Sequence, residues 1–113
     1  MLEFLNKKIK IESHCYGFIG SKKNPIELAK LFVDNNIPAI ANKFSIRLEN
    51  FEYFKLEYIE EKQEYEINFD ADSSDELIKS IQKIKPVLEN IVDWFDFEIY
   101  NDEKLVFHLK KGC

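Results

Sequence analysis

Glycine and proline are scarce in this chain, three of each among 113 residues. No low-complexity tract or internal repeat accompanies them, which argues against both a disordered chain and a solenoid. Cysteine is scarcer still. Cys15 and Cys113 make a weak case for a disulfide, the second being the last residue, where chains are poorly tied down. With two histidines, at 14 and 108, they match no zinc spacing. Cys15 falls in step with Ile9 and Ile11, so it reads as a small core residue rather than a nucleophile. No apolar run approaches the roughly 20 residues that a membrane helix needs. The opening MLEFLNKKIKIE puts an acid at residue 3 and its lysines behind the first apolar residues, the reverse of a secretory signal. The expectation is a cytoplasmic protein with no membrane association, no metal and no cofactor.

Motifs for chemistry are equally thin. The segment DADSSDE, residues 70–76, opens like a calcium loop, but Asp75 stands where glycine is required and Ile81 where a bidentate acid is required. Helix capping explains it better. No glycine-rich phosphate loop is present, and no nucleophile with a defined partner spacing. Asp96 and His108 fall opposite each other in the expected last hairpin, yet a single dyad lacks the converging groups of an active site and reads as a surface ion pair. The chain is therefore not expected to be an enzyme. Lysines cluster at 7, 8 and 10, at 22 and 23, and at 110 and 111, and would form one patch if the first and last strands were neighbours. A pI near 5.1 and an acidic middle nonetheless oppose a phosphate backbone, so nucleic acid is excluded as a partner.

What the chain does have is core material: 45% hydrophobic and 14% aromatic residues. At this length a single domain buries roughly two-thirds of the surface its unfolded chain exposes. Alternation from Lys8 to Tyr16 marks a first strand, with Ser13 and Cys15 facing one way and His14 and Tyr16 the other. Gly17, Gly20 and SKKN are expected to close it. Asn24, Pro25 and Glu27 then start a helix over about 25–35, with Ile26, Leu28, Leu31 and Phe32 as its buried side and Asn35, Asn36 and Pro38 as its stop. Phe44, Ile46 and Leu48 alternate as a second strand, and a turn at 49–51 returns the chain into a third, 52–60. A fourth follows at 65–71.

Ser73 and Glu76 form a capping box for a helix with Leu77, Ile81, Ile84, Leu88 and Ile91 on one stripe, which Pro86 is expected to kink or split near Lys85. Strands at 95–100 and 104–109 close the chain through a three-residue loop, Asn101 to Glu103, with Phe97 opposite Phe107. The order β-α-β-β-β-α-β-β predicts a single α+β domain, 1–113, with a mainly antiparallel sheet and both helices on one face.

The third and fourth strands hold the most distinctive stretch. Between residues 49 and 76 lie eleven acids and two lysines, a net charge of −9, against +4 for the rest of the chain. Phe54, Leu56, Tyr58, Tyr65, Ile67, Phe69 and Ala71 make one apolar face, which needs no ligand to explain it. To put them on one side, the loop must hold an even number of residues. A two-residue turn at Glu61 and Lys62 would set Glu57 opposite Glu66 and demand positive φ at unsuited residues. A four-residue loop, Glu61 to Glu64, pairs Lys55 with Asp70 and Glu57 with Asn68, and is the register expected.

The other face gathers Glu57, Glu64, Glu66, Asp70 and Asp72 around Tyr53 and Ile59, an acidic field with apolar anchors. These seven residues are the expected partner-binding site. A solvated acidic face conferring solubility is the plainer explanation of the same charge. The sharper expectation is a small acidic inhibitor, an immunity protein or antitoxin that covers the cationic active site of a basic nuclease-type toxin. The alternative is a structural or adaptor domain that self-associates through a sheet edge.

Overall fold

A computed structural model describes residues 13–49, 54–71 and 73–112, with only the backbone of Phe69. The start of the first strand (8–12), the turn residues 50 and 51, and the expected site residues Tyr53 and Asp72 lie outside the described residues.

Strand β1 (Ser13–Gly20) is followed by helix α1 (Pro25–Asp34), a short strand β2 (Ala39–Ala41), β3 (Ser45–Leu48) and β4 (Lys55–Ile59). Then come β5 (Glu64–Ala71), helix α2 (Ser74–Ile91), β6 (Trp94–Asn101) and β7 (Lys104–Lys111). The expected α+β order holds, with β2 added between the first helix and the second expected strand. All seven described strands form one antiparallel sheet in the order β2-β3-β4-β5-β1-β6-β7. Both helices lie on one face: α1 packs on β2 and β3, α2 on β1, β6 and β7, and the helices touch each other.

The core fills the space between sheet and helices. Cys15, Ile19, Ile46, Leu56, Tyr65, Ile67, Phe95, Phe97 and Ile99 of the sheet meet Leu28 and Phe32 of α1 and Leu77, Ile81, Ile84 and Leu88 of α2, all without exposed surface. Burying each large apolar side chain contributes about 1.5–3 kcal/mol relative to leaving it in water. Cys15 belongs to this core, and burial pushes its thiol up to about 12. It stays protonated and unreactive.

Local chemistry starts and stops the helices as the sequence suggests. The Asn24 side chain accepts from the Glu27 N–H at 2.9 Å while Glu27 accepts from the Asn24 N–H at 3.1 Å, a reciprocal capping box with Pro25 at the first position. Asn36 takes φ 69, the left-handed conformation that ends the helix, and Asn35 Nδ2 donates to the Leu31 carbonyl. At α2 only half of the expected capping box forms: the Ser73 hydroxyl accepts from the Glu76 N–H at 3.4 Å, and no return bond from the Ser73 N–H to the Glu76 side chain is made. The segment resembling a calcium loop is thus the end of β5 and a helix cap.

Five details depart from expectation. First, β1 does not stop at Gly17 but runs through it to Gly20. A Cβ on Gly17 would lie 2.4 Å from the Asp96 carbonyl oxygen and 2.6 Å from the Phe97 ring, so glycine here permits a close strand approach. Second, Ile26 faces solvent, and Pro25 and Ala29 take its place in the core. Third, Phe44 is 74% exposed, because Asn42 Oδ1 accepts from the N–H groups of Phe44 and Ser45 and closes a turn just before β3. Fourth, α2 continues unbroken through Pro86. Pro86 and Gln82, whose carbonyl loses its usual donor, are both exposed, so the missing bond falls on the solvent side of the helix and not in the core.

The fifth is the last hairpin. It closes with a two-residue turn, Asp102 and Glu103, both at positive φ, and a bulge follows at Ile99/Tyr100. Phe97 therefore pairs with Leu109 rather than Phe107, and Leu105 falls outside the core. The last strand is separated from β1 by β6, so the lysines at 110 and 111 are not beside β1. Lys110 instead pairs with Asp96, and Lys111 Nζ donates to the Glu89 carbonyl near the end of α2.

Candidate functional site

The acidic hairpin is interior to the sheet. β5 lies against β1 and β4 lies between β3 and β5, so its backbone is paired on both sides and only side chains remain for recognition. Its register is Glu57 opposite Glu66, Tyr58 opposite Tyr65 and Ile59 opposite Glu64. This replaces the expected pairing of Lys55 with Asp70 and Glu57 with Asn68. The reason is the loop: Glu60–Lys62 make a 3-10 turn and Gln63 alone takes the left-handed conformation, φ 54, donating its N–H to the Glu60 carbonyl. One polar residue at positive φ is tolerated where two were not expected.

The apolar division of the hairpin is as read. Phe54, Leu56, Tyr65, Ile67 and Ala71 are buried and Tyr58 is half-buried, while Glu57 and Asp70 are exposed and Ile59, Glu64 and Glu66 half-exposed on the opposite side. Tyr65 locks the hairpin tip to the start of α1: its hydroxyl donates to the Lys23 carbonyl at 2.6 Å and its ring stacks on Tyr58 at 4.8 Å.

No described element covers the opposite sheet face. β1 is its centre line, presenting His14, Tyr16 and Phe18 in alternation, with Tyr16 and Phe18 in edge-to-face contact at 5.2 Å. Each neighbouring strand sets carboxylates beside this column: Glu66 and Asp70 of β5 oppose Phe18 and His14, while Asp96 and Glu98 of β6 oppose Phe18 and Tyr16. Asp70, expected against Lys55, instead accepts from His14 Nδ1 at 2.6 Å. Asp96 and His108 are not directly opposite, since His108 pairs with Glu98, but the side chains reach diagonally and His108 Nε2 donates to Asp96 at 2.7 Å. Because a carboxylate only accepts, the facing ring nitrogen carries the proton in both pairs.

Five of the expected site residues thus share the face: Glu57, Glu66 and Asp70 with Ile59, and Glu64 opposite Ile59 at the hairpin tip. The aromatic column of β1 and the carboxylates of β6 were not among the expected residues. The alternation of Tyr16 with Gly17 and Phe18 in the sequence was the available signal, obscured by taking Gly17 as a strand end. A second feature lies at the tip, where Ile26, Phe44 and Tyr58 form an apolar cleft of about 440 Å³ rimmed by Lys43, Glu60 and Glu61. No family model, curated protein or solved structure matches the chain.

Proposed function

We propose that this chain is a non-catalytic binding module, a small acidic inhibitor acting in the cytoplasm as an immunity protein or antitoxin against a basic, nuclease-type toxin. The observation that carries this reading is the unrelieved charge of the β4–β5 hairpin. Glu57 and Glu66 stand directly opposite each other, and among the described residues none of Glu57, Glu60, Glu61, Glu64 and Glu66 makes an ion pair. Like charges opposed across strands cost the fold stability, by about 0.2–1 kcal/mol per pair. A cationic surface would relieve them. A nuclease must attract phosphate, so the same acidic field speeds encounter and occupies the site that substrate needs. Ile59 among the charges, with Tyr53 as its proposed companion, would supply the desolvated anchor.

Self-association through a sheet edge is the second reading, favoured by the exposure of Leu105 and Val106 on β7, an edge strand among the described residues. The lysines at both ends of β7 and its bulge are devices that discourage edge pairing. Sedimentation of the purified chain separates the two, since a monomer leaves no role for the edge.

The test of the inhibitor reading begins with the partner captured from the native host. The partner should be basic, and its nucleolytic activity should fall on addition of the chain. Charge reversal at Glu66 and Asp70 should slow association while leaving the fold intact, and added salt should shrink the difference, exposed charges being screened over about 8–10 Å. Unchanged rates in the double reversal, with the partner still bound, would remove this face from the interface.

A further inference from the structure

We infer that the outer face of β1 and β6 holds a pocket for a single guanidinium group, built from Tyr16, Phe18, Asp96 and Glu98. The inference rests on the reading of this face as the docking site for a basic protein, and it names the side chain recognised: an arginine of the partner. None of the four residues belongs to the acidic hairpin.

The four residues and Gly17 line a hollow of about 100 Å³. At roughly 30 Å³ of liquid volume per water, it has room for about three waters, or for one planar head group. Its geometry follows from the strand register. Tyr16 lies opposite Glu98 and Phe18 opposite Asp96, so each ring has a carboxylate immediately beside it. The rings meet edge to face, with 83° between their planes, so they do not stack flat on each other. An aromatic face attracts a cation through the ring quadrupole.

The two carboxylates are held before any ligand arrives. Asp96 Oδ1 accepts from His108 Nε2 at 2.7 Å, and Glu98 Oε1 accepts from the Tyr100 hydroxyl at 2.9 Å. The contact with Glu98 pushes the Tyr100 pKa up, because the hydroxyl proton is shared with a carboxylate. One oxygen of each acid is thus engaged, and no described residue hydrogen-bonds the other, while both acids line the hollow. Asp96 and Glu98 alternate on one strand face, so their Cα atoms stand about 7 Å apart. A guanidinium carries five N–H donors in one plane, can bond both acids at once, and can lay its weakly hydrated face on a ring.

Other occupants fit worse. A hard metal ion takes six or more oxygen ligands, and the aromatic walls offer few. An anion would meet two carboxylates. Lysine would bring the right charge, but its compact, strongly hydrated ammonium has no plane to match the rings.

A titration that needs no protein partner tests the pocket. N-acetyl-L-arginine amide is added to the isotope-labelled chain, and the citrulline analogue, which has the same shape without the charge, is the control. Arginine amide should shift the resonances of residues 16–18 and 96–98 saturably, and the citrulline analogue should not. Tyr16→Ala should weaken arginine binding by about threefold to tenfold, the size of a cation–π contact, and Glu98→Gln by at least as much. A preserved amide spectrum elsewhere shows that each variant is folded. Absent saturation, or equal shifts from both ligands, overturns the pocket. Failure here with the captured partner still bound leaves the inhibitor reading standing, whereas saturable arginine binding with no basic partner in the host overturns that reading alone.

Discussion

Replacing Tyr65 with phenylalanine removes one oxygen atom from the best-buried part of the hairpin and has consequences that reverse with pH. The Tyr65 ring has no exposed surface, and its hydroxyl donates to the Lys23 carbonyl at 2.6 Å. The variant keeps the ring and its stacking on Tyr58, so no cavity opens. What is lost is one hydrogen bond, with a carbonyl next to an exposed residue that water can reach, a cost of about 1 kcal/mol near neutral pH. Alkali changes the comparison. Burial first, then the neighbouring Tyr58 and Glu27, push the Tyr65 pKa well above its ordinary value near 10. The folded state keeps this proton after the unfolded chain has released it. The stability the group contributes is therefore complete below about pH 10 and falls by about 1.4 kcal/mol for each pH unit above it, until the folded pKa is reached. Phenylalanine has no proton to lose. Urea titrations at about pH 7 and about pH 11 should show the parent ahead by about 1 kcal/mol in the first and level with or behind the variant in the second. Cys15, whose folded pKa is also raised, destabilises both proteins alike as pH climbs above about 9 and cancels from the difference. A parent–variant gap of the same size and sign at both pH values would show that the hydroxyl is not held neutral by the fold, and the hairpin tip would be tied to the segment before α1 by the Ser21 N–H, which donates to the Gln63 carbonyl at 3.1 Å, instead.

Two further outcomes follow from the same geometry. Gly17→Ala should cost about 1–3 kcal/mol in a denaturant titration, because its Cβ would meet the Asp96 backbone, which cannot rotate away; a neutral result would mean that β1 and β6 can separate freely. Glu57→Lys should raise stability by up to about 1 kcal/mol, by turning the repulsion with Glu66 into attraction, while weakening capture of a basic partner. If stability and capture moved in the same direction, the opposed carboxylates would not be a sacrifice made for binding.

Much of the fold was legible because buried faces repeat. The helix of residues 25–34 carried its cap, its first-turn proline and its asparagine stop in sequence, and the hairpin faces were set by Phe54, Leu56, Tyr65 and Ile67. The losses came where a single residue's conformation set the register. Gln63 at positive φ selected the pairing that had been set aside for the β4–β5 hairpin, and Asp102 with Glu103 shortened the last loop by one residue and added a bulge. Neither Gln63 nor the Asp102–Glu103 pair is glycine or Asn-Gly, the residues that mark such turns most strongly. Phe44 shows the converse: its hydrophobicity suited the alternation, but an asparagine two residues earlier captured its backbone.

The candidate site was half legible for a related reason. Charge is visible in a sequence, and the acids of β4 and β5 could be counted, but which strand stands beside them is a long-range fact. Placing β1 between β5 and β6 brings Tyr16 and Phe18 between two sets of carboxylates that are about 30 residues apart in the chain. A two-layer architecture with both helices on one side leaves that second sheet face without a covering element among the described residues. Aromatic side chains on such a face gain little for folding, since their burial is incomplete. Carboxylates around them gain less, because they repel. The combination would become favourable against a surface that is cationic and has planar or apolar groups to lay on the rings, so the proposed basic partner is to be sought through the β1 column and its flanking acids as well as through the acidic hairpin.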